Sequence, residues 1–131
     1  MTEDPLKRLV IDQAETDREL LATLLEDKVR IDPSRATFSF KANIRGALGV
    51  KKLVLTALLA RKAISLLARD VGEGLTPKEL EVHLGVPGNS LRPALKFLKD
   101  HGLAVQQEGS RYSVPQYVLE DAGRFLSDKE V

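Results

Sequence analysis

No cysteine occurs among the 131 residues, and that absence removes several kinds of chemistry at once. Thiolate catalysis, zinc fingers and iron–sulfur ligation all need the sulfur. Disulfides are equally out of reach, so the fold must be held by packing, which a chain of this length can achieve. A cysteine-free chain also suits a reducing compartment, and a cytoplasmic protein is expected. Histidine is nearly as scarce. His83 and His101 stand beside no acidic or sulfur partner at ligand spacing, so a structural or surface role is expected for both. There is no P-loop, no G-x-G-x-x-G and no G-x-S-x-G elbow, and Gly46-Ala47-Leu48-Gly49 lacks the rest of a phosphate loop. The acidic residues are scattered rather than clustered. These absences argue against an enzyme and imply no cofactor and no metal, and no small-molecule effector can be inferred from the residues.

Long apolar runs are missing as well. The longest, Leu53 to Ala60, is interrupted by Thr56 and stops at Arg61-Lys62, well short of the roughly 20 residues that span a bilayer. The first residues, Met1 to Arg8, are acidic and then basic, with no apolar stretch of the secretory kind. No membrane partner is expected. What remains is an ordinary globular balance, with 43% apolar and 30% charged residues.

Net charge is only +1, but its distribution is uneven. Residues 1–40 hold 6 Lys/Arg against 9 Asp/Glu, residues 41–70 hold 7 against 1, and residues 71–131 hold 7 against 9. A basic middle block beside an acidic first segment fits a local basic surface, or simply a solvated helix face.

The apolar positions Leu6, Leu9, Val10, Ala14, Leu20, Leu21, Leu24 and Leu25 recur three and four apart, which predicts a helix from Leu6 to about Val29. Asp4 and Pro5 suit its start. Asp17 and Arg18 break the stripe, so it is no coiled-coil heptad. Such a helix can pack on its own chain or pair with a second copy. After Asp32-Pro33-Ser34, the alternation from Ala36 to Lys41 predicts a short strand, with the later hairpin or a symmetry copy as partner. Residues 1–45 thus form an arm for packing or dimerisation, and residues 46–131 the main unit. Within that unit, Gly46 to Arg69 is apolar over most of the helical circumference and is expected to be a buried central helix. Val118, Leu119, Ala122, Phe125 and Leu126 predict a closing helix, with a frayed end from Asp128.

Between these lies the stretch from Thr76 to Tyr112. Thr76-Pro77-Lys78-Glu79 is a capping box with proline at the first helical position. Leu80, Val82 and Leu84 are the apolar contacts of this first helix, and Gly85 is suited to end it. Val86 to Asn89 reads as a turn, with Ser90 the N-cap of a second helix. That choice puts Pro93 at the third helical position, where its missing N–H costs nothing. Leu91, Ala94, Leu95 and Leu98 form one stripe of this helix, and Arg92, Lys96 and Lys99 another. Leu103-Ala104-Val105 and Arg111-Tyr112-Ser113-Val114 then read as strands around a polar tip in which Gly109 supplies the turn.

These residues resemble the winged helix-turn-helix superfamily in its bacterial and archaeal transcription-regulator form. The likeness is carried by Leu75 to Leu80, Leu84-Gly85-Val86, Ser90-Leu91-Arg92, Ala94-Leu95, Leu98, Gly102-Leu103, Gly109 and Arg111-Tyr112, and covers roughly residues 48–114. It implies a mainly α fold with a small β-hairpin wing, flanked here by an N-terminal amphipathic helix and a C-terminal helix. It also implies a double-stranded DNA partner, with the second motif helix in the major groove, and a homodimer. Carried over, the contacts are Asn89, Ser90, Arg92 and Lys96, with Lys99 on a phosphate. Arg111 would come from the wing, with Gln106 and Gln107 beside it, and Lys51 and Lys52 from the central helix. A low-specificity chromosome-coating protein and a protein-binding winged helix are the alternative uses of this fold. One departure stands out: Glu81 occupies a position that is usually small. A carboxylate there would be costly facing the second helix, so either the helix pair crosses differently or Glu81 points outward with Val82 inward.

Overall fold

The structure, a computed structural model, describes residue 6 and residues 13–42, 44–68 and 70–127. The expected helix start at Asp4-Pro5, the apolar positions Leu9 and Val10, Arg69 and the residues from Asp128 onward lie outside the described residues. Of Ala14 only the helical backbone is described. The protein is mainly helical, with two small antiparallel hairpins among the described residues. In chain order the elements are α1 (Gln13–Leu25), β1 (Val29–Asp32), β2 (Thr37–Phe40), α2 (Ile44–Ala47), α3 (Val50–Leu67), α4 (Pro77–Leu84), α5 (Gly88–Asp100), β3 (Val105–Gln107), β4 (Arg111–Ser113) and α6 (Leu119–Ser127). No helix among the described residues is long and apolar enough to cross a membrane.

The axis of the fold is α3. Its residues from Leu53 to Ala60 are all buried, as its apolar circumference requires. Helices α1, α4, α5 and α6 and strands from both hairpins pack around it. The helix begins later than expected. Gly46 belongs to α2, and Gly49 stands in extended conformation as the N-cap of α3. At the other end, buried Lys62 reaches Glu73 at 2.5 Å and Arg61 donates to the Gly72 carbonyl at 2.8 Å. These two bonds fold the following loop back along the helix.

Two expectations for the first forty residues are corrected. Helix α1 stops at Leu25, and Val29 opens a strand instead of closing the helix. The Lys28 N–H bonds to the Leu25 carbonyl at 2.9 Å, closing the last turn. From Val29 the burial then alternates, a period of two replacing the helical one. Strand β1 is also the partner of β2, in the register Val29↔Phe40 and Ile31↔Phe38. The intervening turn is built by Asp32, whose Oδ1 accepts from the Ser34 amide at 3.1 Å and the Ser34 hydroxyl at 2.6 Å. Neither the later hairpin nor a second copy is needed to pair β2.

Helix α1 packs in cis. Leu21 and Leu25 join the buried core that runs through α3, α4, α5 and α6. Its close approach to α6 depends on Gly123, where a Cβ would lie 2.9 Å from Leu24 Cδ2. Buried Asp17 accepts from the Gln116 side-chain amide at 2.9 Å, tying α1 to the turn before α6.

Candidate nucleic-acid interface

The capping box forms as read. Thr76 Oγ1 accepts from the Glu79 amide at 3.1 Å, Glu79 Oε1 accepts from the Thr76 amide at 3.0 Å, and Pro77 opens α4. Gly85 ends the helix with φ 64°, in the left-handed region where a side chain is disfavoured. A cation seals the same end: Arg45 donates to the Leu84 carbonyl.

The start of α5 differs from expectation. The helix begins at Gly88 after an extended Pro87, and the Pro87 carbonyl accepts from both Ser90 and Leu91, each at 3.0 Å. Ser90 therefore lies inside the first turn instead of capping it. Pro93 becomes the sixth helical residue, and its missing N–H removes the donor that the Asn89 carbonyl would otherwise find four residues on. Asn89 and Pro93 are both exposed, so water can satisfy that carbonyl.

The two sides of α5 separate cleanly. Leu91, Ala94, Leu95 and Leu98 are buried, whereas Asn89, Ser90, Arg92, Lys96 and Lys99 are exposed. Beside the cationic row runs a groove of about 470 Å³. Arg92, Lys96 and Lys99 border it on the α5 side, and Gln106, Ser110 and Tyr112 on the hairpin side. Lys99 Nζ bridges to Gln106 Oε1 at 3.2 Å. A second groove, about 400 Å³, lies between the start of α4 and the start of α5, lined by Pro77, Lys78 and Glu81 among others. Arg92 and Ser110 border both. Lys78 and Ser110 were not singled out in the sequence. The capping box marks Lys78 as a first-turn residue of α4, but its place beside the start of α5 is set by the packing of the two helices.

Val82 and Glu81 sit opposite to one expected arrangement. Val82 is 80% exposed, and Leu80 and Leu84 alone bury the apolar side of α4. Glu81 is partly buried with its carboxylate against Gly88, the first residue of α5. A helix N-terminus carries partial positive charge, which offsets the cost of placing a carboxylate between the helices. Gly88 leaves the room for it.

The hairpin is shifted along the chain. Leu103 and Ala104 are buried but form no strand, because their amides both bond to the Leu98 carbonyl, at 2.8 and 3.2 Å. Pairing begins with Val105↔Ser113 and runs to Gln107↔Arg111, around a tip at Glu108–Ser110 with Gly109 at φ 73°. Arg111 is turned back toward the body: its guanidinium meets the Gly74 carbonyl at 3.1 Å and Glu79 Oε1 at 3.4 Å. The carboxyl of Glu79 is held below its ordinary range, first by the Thr76 amide, then by the Thr76 side chain and the charges of Arg111 and Arg61, against the opposing effect of burial.

The two lysines of the central helix do not join the α5 row. Lys52 is 8% exposed. Lys51 is exposed but its ammonium lies 4.1 Å from the centre of the Phe97 ring. His101 stacks on the same ring at 3.9 Å, and His83 stacks on Phe38 at 5.2 Å. No three His, Asp or Glu among the described residues come together as a metal site. No family model, no curated protein and no solved structure matches the chain.

Proposed function

We propose that this chain binds double-stranded DNA without catalysing a reaction, in the manner of the winged helix-turn-helix proteins that its motif resembles. Helix α5 would enter the major groove and the β3–β4 hairpin would lie on the backbone or minor groove. The observation that carries the reading is the exposed row Asn89, Ser90, Arg92, Lys96 and Lys99, backed by a rigidly buried opposite side and flanked by the hairpin. Arg92 is the residue assigned to base edges, because a guanidinium can pair bidentately with guanine. Lys96 and Lys99 are assigned to phosphates. Arg111 serves the wing from a tethered position, and Lys51 and Lys52 are left out of the contact set. A transcription regulator in the cytoplasm is the role that follows.

A protein-binding use of the same surface is favoured by Glu108 at the exposed hairpin tip and Asp100 beside Lys99, both of which would repel phosphate. Anisotropy titration of the full chain with mixed genomic fragments, at a low and a moderate salt concentration, decides between them. DNA binding that weakens steeply with salt supports the proposal. No affinity at low salt rejects it. Competition by random DNA then separates a site-specific regulator from a chromosome-coating protein, which has little specificity ratio.

A further inference from the structure

Between α1 and the end of α3 lies an apolar groove of about 310 Å³. Its floor reaches core depth, because Leu21, Leu25 and Val29 are all buried. One wall is made by Leu66, 37% exposed, and Leu67, 57% exposed. Contiguous apolar surface of this kind marks a binding site more often than scattered exposed leucines do. Two charged residues border it: Arg18 in α1, and Glu26, one residue past the end of that helix. We propose that the groove is a ligand site for a linear aliphatic monocarboxylate. The carboxylate would sit at Arg18 and the alkyl chain over Leu21, Leu25 and Val29.

Size, polarity and charge select that ligand. The volume is at the lower end of the range for small-molecule pockets. The floor side chains carry no polar atom, so a ligand group placed over them has to be apolar. Arg18 and Glu26 are about 12 Å apart along the helix axis, roughly the extended length of an eight- to ten-carbon chain. None of the ion pairs among the described residues uses Arg18. Its guanidinium donates to the Leu66 carbonyl at 3.1 Å, which holds it at the groove and occupies one of its five N–H donors. A carboxylate can take two of the others in parallel. Glu26 repels an anion from the opposite end, so one orientation is favoured. The site lies on a different surface from the α5 row and stands whether or not that row binds DNA.

The test is calorimetric titration of the full chain with decanoate, decanol and decylammonium, each kept below its micellar concentration. One equivalent of decanoate is expected to bind, about 10-fold more tightly than the alcohol or the cation. Arg18→Met should weaken decanoate by about 10-fold and leave decanol unchanged, a split that losing the Leu66 bond alone would not produce. Ala22 is an exposed residue of the groove lining. Ala22→Phe should therefore fill the groove and weaken both the acid and the alcohol, with an unchanged circular dichroism spectrum. In wild type, decanoate should shift the methyl resonances of Leu66 and Leu67. Absence of decanoate binding overturns the proposal, as does decanol binding as tightly as decanoate. So does an Arg18→Met chain that loses both ligands equally, or one that loses neither. Wild-type affinity in Ala22→Phe, or methyl shifts confined to other residues, would remove the site from this groove.

Discussion

Leu75 and Tyr112 exchange both of their backbone hydrogen bonds, Leu75 N–H to Tyr112 O at 3.0 Å and the reverse at 2.8 Å. The residue immediately before the α4 cap is thereby joined to the return strand of the hairpin. The groove beside α5 is built from that same strand and from Pro77, so its two walls are held in one frame. Local contacts within the helix pair could not fix where the hairpin lies. This ladder contact ties it to the start of α4, together with the bonds from Arg111 to Gly74 and Glu79.

That junction leaves no space at Gly74. A Cβ there would stand 2.8 Å from Arg111 Cβ and 3.3 Å from the Tyr112 carbonyl, neither of which is a flexible side-chain end. Gly74→Ala is expected to destabilise the protein by about 1–3 kcal/mol, the usual cost of overpacking. Gly88→Ala is the contrast, since its added methyl would meet only the movable end of Glu81. We expect it to lie within about 0.5 kcal/mol of wild type, helped by lower chain entropy when unfolded. Urea denaturation of the two variants checks both, and equal losses would refute the distinction.

The capping box predicts a pH dependence. Because the Glu79 carboxyl is held below its ordinary 4.5 in the folded chain, its contribution is fully present above the unfolded value and disappears as pH falls through the folded one. Wild type should therefore exceed Glu79→Gln in stability by a constant margin near neutrality, and the margin should shrink below about pH 4.5. Thr76→Ala, which removes the hydroxyl from the Glu79 amide, should cost about 1 kcal/mol at neutral pH. Paired urea titrations at several pH values measure the margin. A margin that grows on acidification would contradict the assignment.

Arg92 and Arg111 should separate binding from stability. Arg92 is exposed on α5, whereas Arg111 bonds Gly74 and Glu79. Arg92→Ala is expected to weaken DNA binding by about 1–3 kcal/mol with little change in melting temperature. Arg111→Ala should lower the melting temperature as well as the affinity. Exchanging both Lys96 and Lys99 for alanine should reduce the slope of log affinity against log salt by about 2. Unchanged affinity of Arg92→Ala would place the reading surface elsewhere.

Lys62 gives a fourth measurement away from the proposed interface. Its side chain is 5% exposed and its ammonium meets Glu73, itself 36% exposed, at 2.5 Å. Glu73→Ala would strand that charge in the fold and should cost about 1–3 kcal/mol. The double variant Lys62→Met/Glu73→Ala should recover most of the loss, because an apolar chain of similar length tolerates the same site. Thermal melts of the single and double variants, compared as a cycle, give the result.

Much of the helical frame was legible in the residues because it depends on local chemistry. The Thr76–Glu79 cap, the end of α4 at Gly85 and the apolar and cationic sides of α5 each follow from side chains within a turn of one another. The central position of α3 followed from its composition, since a helix apolar nearly all round has to be enclosed. Where local rules gave wrong answers, a distant or backbone contact had intervened. Ser90 had the chemistry of an N-cap, but the Pro87 carbonyl took the first amides of α5. Leu103 and Ala104 had strand character, but the Leu98 carbonyl took theirs. Val29 sat in register with an apolar helical stripe, yet pairs with Phe40 in a hairpin.

The sequence by itself thus determined the Thr76–Glu79 cap, the end of α4 at Gly85 and the cationic row of α5, because period and capping act over a few residues. Only the tertiary structure decided which surfaces those rows face. It buried Lys52, drew Arg111 back to Gly74 and Glu79, set Glu81 over the start of α5, and paired β2 with β1. Each of those outcomes depends on which elements α3 brings side by side, and no spacing along the chain encodes that. The paired bonds between Leu75 and Tyr112, 37 residues apart in the chain, are such a case: they join two segments that packing around α3 brings side by side.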